Sequence, residues 1–164
     1  MATLVRHAMT ESPQTARPDM NAADAAALMR QLDVGVIPVV EGGRLIGLVT
    51  DRDLAMRVLA ERKDPDQVAL AEVLTKSPVT ISPDAKLAEG LELMSEHKVR
   101  RLPVMKGEEL VGILSLGDAA IAAASAGKTG RALEEISESA STADLSGGPD
   151  RGTPDRVRRT GTEG

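Results

Sequence analysis

Aromatic side chains are missing altogether: none of the 164 residues is Phe, Tyr or Trp. A core can still form, because 41% of the chain is hydrophobic, but it has to be built from Val, Leu, Ile, Met and Ala. The same absence argues against a single-stranded nucleic-acid platform, which depends on bases stacking on aromatic rings. Any flat ligand would be held by aliphatic contact. Cysteine is absent too, which excludes disulfides, thiolate chemistry and cysteine-based zinc sites. The two histidines, His7 and His97, sit in no spacing that suggests a metal site or a catalytic triad. His97 closes a predicted helix, where positive charge suits the C-terminal dipole. The net charge of −5 has both signs interspersed, so there is no basic footprint for nucleic acid beyond a small cluster from Arg156 to Arg159. A basic-then-apolar leader and an apolar run of membrane-spanning length are both lacking. A cytoplasmic protein with no nucleic-acid and no membrane partner is expected. A phosphate loop with lysine, clustered carboxylates and a nucleophile elbow are also lacking, so catalysis is not expected.

What is present is a duplication. Placing Pro13 on Pro78, an offset of 65 residues, gives a match without gaps from Arg6 to Asp53. Thr10 then meets Thr75, Ser12 meets Ser77, and Pro18-Asp19 meets Pro83-Asp84. Farther on, Leu28-Met29 falls on Leu93-Met94 and Pro38-Val39 on Pro103-Val104. Gly42, Leu45, Gly47 and Asp53 fall on Gly107, Leu110, Gly112 and Asp118. A repeat of this length means two copies of one supersecondary unit. The division is residues 1–62 and 63–126, followed by a tail over 127–164. That tail is rich in Gly, Ser, Thr, Pro and charge, a composition that predicts disorder.

Each copy predicts the same order of strand, helix, strand, strand, helix, hence an α+β fold. A short extended piece (Gln14 to Ala16; Val79 to Ile81) is closed by a Pro-Asp turn. A helix follows over Ala22 to Leu32 and Leu87 to His97, with Leu87, Leu91 and Met94 on a single face. Two strands then read as a hairpin around Gly42-Gly43 or Gly107, and a second helix begins near Asp51 or Leu116.

The hairpin's second strand carries the chemistry. Gly47 has no side chain, so a backbone or a ligand can approach closely. The strand hands over to a helix at Thr50, and a helix N-terminus attracts phosphate. The Thr50 hydroxyl suits a phosphate or a sugar, and the Asp53 carboxylate suits a pair of sugar hydroxyls. Threonine followed three residues later by an acid is also a capping-box pattern that could only start a helix, but the doubled motif favours ligand binding.

The stretches Leu45-Ile46-Gly47-Leu48-Val49-Thr50-Asp51-Arg52-Asp53 and Leu110-Val111-Gly112-Ile113-Leu114-Ser115-Leu116-Gly117-Asp118 resemble the CBS domain family. That family's pattern is Gly, two apolar residues, Thr or Ser, two free positions and Asp. The lead-ins Met9-Thr10 and Leu74-Thr75, the Pro-Asp turns and the Pro-Val pairs fit it too. The chain is similar in form to stand-alone tandem CBS proteins (Bateman modules) of actinobacteria, of the hypoxic response type.

The resemblance implies repeats packed about a pseudo-twofold axis, pairing of two modules into a homodimer, and two nucleotide clefts between the repeats. The ligands it implies are AMP, ADP, ATP or S-adenosylmethionine, acting on a protein partner not identified by this chain. By position it implicates Thr50, Asp53, Ser115 and Asp118 for phosphate and ribose, and Thr15, Ala16, Thr80 and Ile81 beside the base. Arg101 is implicated for phosphate, with Val36 its counterpart in the first copy. Arg52, present only in the first copy, is a further phosphate candidate. Unequal copies predict unequal clefts. The alternative is a dimerising scaffold that binds no nucleotide.

Overall fold

The computed structural model describes residues 2–126; the tail expected at 127–164 and its arginine cluster lie outside the described residues. In the first copy a short strand β1 (Thr10–Glu11) precedes helix α1 (Ala22–Leu32), the hairpin β2 (Val36–Glu41) and β3 (Arg44–Thr50), and helix α2 (Asp51–Leu54). The α2 turn runs on as a π-helical segment, Ala55–Leu59. A short helix α3 (Leu70–Val73) and strand β4 (Thr75–Lys76) lead into the second copy. There α4 (Leu87–His97), β5 (Arg101–Lys106), β6 (Glu109–Ser115) and α5 (Leu116–Ser125) follow in the same order. Helices α1 and α4 match the apolar periodicity of their sequences. Ala22, Ala25 and Met29 are buried on one, and Leu87, Leu91 and Met94 on the other. Among the described residues no helix is long and apolar enough to cross a membrane.

The leading strands lie elsewhere than the sequence pattern places them. The stretches ending at Ala16 and Ile81 make only single parallel bridges, to Val39 and Val104. The true strands, β1 and β4, sit a few residues upstream. Each is cut short by Ser12 or Ser77, both at φ 48°, followed by a proline that has no N–H to give a ladder. They also join the opposite copy. Thr10 and Glu11 pair with Ile113 and Gly112, while Thr75 and Lys76 pair with Leu48 and Gly47. The two sheets therefore run β1-β6-β5 and β2-β3-β4, each borrowing an edge strand.

The cores are exchanged in the same way. Val5, fully buried, belongs to the apolar cluster of the second copy, and Val68, Leu70, Val73 and Leu74 belong to that of the first. The borrowed segments also satisfy helix ends, whose first N–H groups have no partner within the helix. The Leu87 N–H donates to the Thr3 carbonyl and the Ala22 N–H to the Val68 carbonyl, both at 2.8 Å. Val5→Ala is accordingly expected to cost about 2 kcal/mol of unfolding free energy, the transfer term for two methyl groups plus a cavity. A denaturant melt checks this, and a change within error would mean the N-terminal segment is not part of the second core.

Candidate functional site

Because each lead-in crosses to the other sheet, a cleft opens along the boundary between the copies. Its volume is about 500 Å³. One wall is residues 10–14, the second is the α1–β2 junction at 32–36, and the third is Arg101, Ile113, Ser115 and Asp118 of the second copy. Local backbone shapes this cleft. Ser12 turns the chain away from β6. Asp33, in the left-handed region at φ 54°, ends α1, its N–H donating back to the Met29 and Arg30 carbonyls. Val34, Val36 and Ile113 supply the aliphatic lining that a chain without aromatics has to use.

The paired motifs have parted company. In the first copy the capping box is closed: the Asp53 N–H donates to Thr50 Oγ1 at 3.1 Å and the Thr50 N–H to Asp53 Oδ2 at 2.9 Å. Asp53 Oδ1 also faces Arg57 Nη2 at 3.7 Å, and its side chain is only 13% exposed. The other N–H groups of that helix start are occupied as well, Asp51 by the Gly35 carbonyl and Arg52 by Asp51 Oδ1. The phosphate site expected at this helix end therefore has no free donor among those four groups. In the second copy the Ser115 hydroxyl donates to Asp118 Oδ2 at 2.7 Å and accepts from the Asp118 N–H at 3.1 Å. Asp118 is exposed and lines the cleft. Of the two motif carboxylates, this is the one that lines the cleft.

Of the other residues singled out in the sequence, Val36 and Arg101 line this cleft with Ser115 and Asp118. A Cβ on Gly35 would lie 3.1 Å from both Arg101 Nη2 and Asp51 Oδ2, so that guanidinium reaches across the boundary into space a glycine leaves open. Thr15 and Thr80 are exposed, Ala16 and Ile81 are buried in their bridges, and none of the four lines the cleft. Thr50, Asp53 and the exposed Arg52 do not line it either. Glu11, Asp33 and Gly35 do, and the sequence reading missed all three. Their only signal is position: Glu11 ends the borrowed strand, Asp33 is the left-handed helix stop and Gly35 follows it. At the Pro-Asp turn, outside the cleft, a hydrogen bond from Arg17 holds the Asp19 carboxyl below its ordinary range. Among the described residues, no group of three or more His, Cys, Asp or Glu is placed to hold a metal ion.

With this geometry in hand, comparison with known proteins is direct. The CBS domain model matches twice, over residues 5–60 and 70–125. The chain is 41% identical over 133 residues to the CBS domain-containing protein YhcV of Bacillus subtilis, covering 81% of this chain and 94% of that one. It is 38% identical over 97 residues to Hypoxic response protein 1 of Mycobacterium tuberculosis, covering 58% and 68% of the two chains. Among solved structures, CBSX2 in complex with AMP matches at a TM-score of 0.65 and 26% identity, over 77% of this chain and 99% of that one. The CBS domain pair of MJ0100, in complex with 5′-methylthioadenosine and S-adenosyl-L-methionine, matches at 0.68 and 26%, over 77% and 98%. The chain belongs to the CBS domain family, as a tandem pair.

Proposed function

We propose that the chain is a cytoplasmic, non-catalytic regulatory module that binds an adenosine-containing ligand between its repeats and signals occupancy to a protein partner. One observation carries the reading: an exposed carboxylate, Asp118, with the Ser115 hydroxyl beside it and Arg101 next to Ser115 on the neighbouring strand, in a cleft of about 500 Å³ with aliphatic lining. That volume falls in the range of small-molecule sites. The carboxylate matches the two hydroxyls of a ribose, Arg101 matches a phosphate, and Val34, Val36 and Ile113 match the faces of a base. Relatives of the same fold hold AMP and S-adenosyl-L-methionine, which supports the ligand class. Exposed apolar residues on the second helices, Met56, Leu59 and Ile121, support pairing into a homodimer, since Met56 and Ile121 are counterparts at the repeat offset.

The test is a thermal-shift titration of the full chain with AMP, ADP, ATP and S-adenosylmethionine, with molar mass read by light scattering. Selective binding to the native state raises the melting point by mass action, about 2.7 kcal/mol of stabilisation at a hundredfold excess over Kd. A dose-dependent rise with one ligand is expected. No rise with any of them turns the assignment to a dimerising scaffold, and a monomeric mass removes the homodimer.

A further inference from the structure

One arginine of the cleft is shared between the two copies. Arg101 opens β5, where it pairs with Ser115, and lines the cleft. Its guanidinium crosses the boundary to Gly35 of the first copy, where the missing side chain leaves it room. Asp51 reaches the same space: Asp51 Oδ2 and Arg101 Nη2 each lie 3.1 Å from where a Gly35 Cβ would stand. Asp51 is exposed and does not line the cleft. Its Oδ1 accepts from the Arg52 N–H at 2.9 Å, so Oδ2 is the oxygen beside the guanidinium. The backbone here repeats at the 65-residue offset, the Leu116 N–H donating to the Arg100 carbonyl as the Asp51 N–H donates to the Gly35 carbonyl. The side chains do not repeat: glycine, acid and arginine are replaced together by Arg100, Leu116 and Val36.

We infer that Asp51 sets the cleft's affinity for phosphate-bearing ligands by competing with the phosphate for Arg101. This rests on the adenosyl-binding reading above, and it makes Asp51 a positioning residue that touches no ligand itself. Two effects act in the same direction. A guanidinium beside a carboxylate gives up that attraction when it turns to a phosphate, and the carboxylate left nearby repels the phosphate that arrives. Both charges are at least partly in contact with water, so the effect is a modest tuning of affinity and weakens with salt. An adenosyl ligand without a phosphate has nothing for Arg101 to hold and is indifferent to both effects.

Calorimetric titration of the full chain at low salt tests this, with AMP and with 5′-methylthioadenosine, which shares the adenosine and lacks the phosphate. The variants are Asp51→Asn, Arg101→Gln and the two combined. Asparagine keeps the shape of Asp51 and the oxygen that accepts the Arg52 N–H, and the unliganded melting temperature verifies folding. Asp51→Asn is expected to bind AMP about fivefold more tightly than the parent, with 5′-methylthioadenosine unchanged. Arg101→Gln is expected to bind AMP at least about tenfold more weakly, and the gain from Asp51→Asn should shrink in that background, because competition needs both partners. Unchanged or weaker AMP binding by Asp51→Asn, an equal gain for 5′-methylthioadenosine, or an undiminished gain without Arg101 overturns the role of Asp51 alone. So does binding of 5′-methylthioadenosine with AMP bound by none of the proteins. Binding of neither ligand to any of them overturns the adenosyl reading itself, and this inference with it.

Discussion

Replacing Gly47 with valine is expected to lower the melting temperature by roughly 10 °C or more, although valine is a far better strand residue than glycine. A Cβ at this position would lie 2.5 Å from the Thr75 carbonyl oxygen and 2.6 Å from Leu74 Cδ1. The first contact is backbone of the borrowed strand β4, so relief requires β4 to leave the sheet and take Leu74 out of the first core. Overpacking of this kind costs about 3 kcal/mol or more. Gly35→Ala is the control. Its Cβ meets only the ends of Arg101 and Asp51, which can swing aside, and stability should change by less than about 1 kcal/mol. Thermal melts of both variants decide the matter. A Gly47→Val protein as stable as the parent would mean that the exchanged strand contributes nothing to the fold.

The same residue shows how far the sequence could be read. A glycine inside a strand announces a close approach, and the approach exists, but its partner is a backbone carbonyl, not a ligand. Helices α1 and α4 and the two hairpins were legible because their signals are local: an apolar face, a proline-valine pair, a glycine turn. The exchange of β1 and β4 was not. Thr10 pairs with Ile113, a hundred residues away in the chain, and a two-residue strand carries no periodicity of its own. The difference in surroundings between Asp53 and Asp118 was half legible. The motifs look alike, and the discriminating residue lies outside them: Arg57, four residues past Asp53, faces the carboxylate, whereas the equivalent position in the second copy is Ala122. The i, i+4 spacing of Asp53 and Arg57 is the local sequence signal for that pairing. Glu11 and Asp33 carried no such mark, because what brings them to the cleft is the pairing of distant segments.

Asp118→Ala and Asp53→Ala are expected to fail in opposite ways. Loss of Asp118 removes the exposed cleft carboxylate that, under the proposed function, accepts from both ribose hydroxyls. Hydrogen bonds to a charged acceptor contribute about 1.5–3 kcal/mol each, so S-adenosylmethionine should bind about a hundredfold more weakly or not measurably. The unliganded protein should melt close to the parent, because Ser115 still accepts the N–H of residue 118 and caps α5. Loss of Asp53 strips the Thr50 N–H of its partner and leaves Arg57 without its carboxylate. Losing such a cap is expected to cost about 1–2 kcal/mol of stability. Binding of S-adenosylmethionine to the folded fraction should be retained, since Asp53 does not line the Asp118 cleft. Paired melts and titrations on the two variants read both quantities. Equal loss of binding from each would return the two acids to equivalent roles. A large loss of stability from Asp118→Ala, with binding intact, would make the second motif a helix cap and leave the cleft without its anchor.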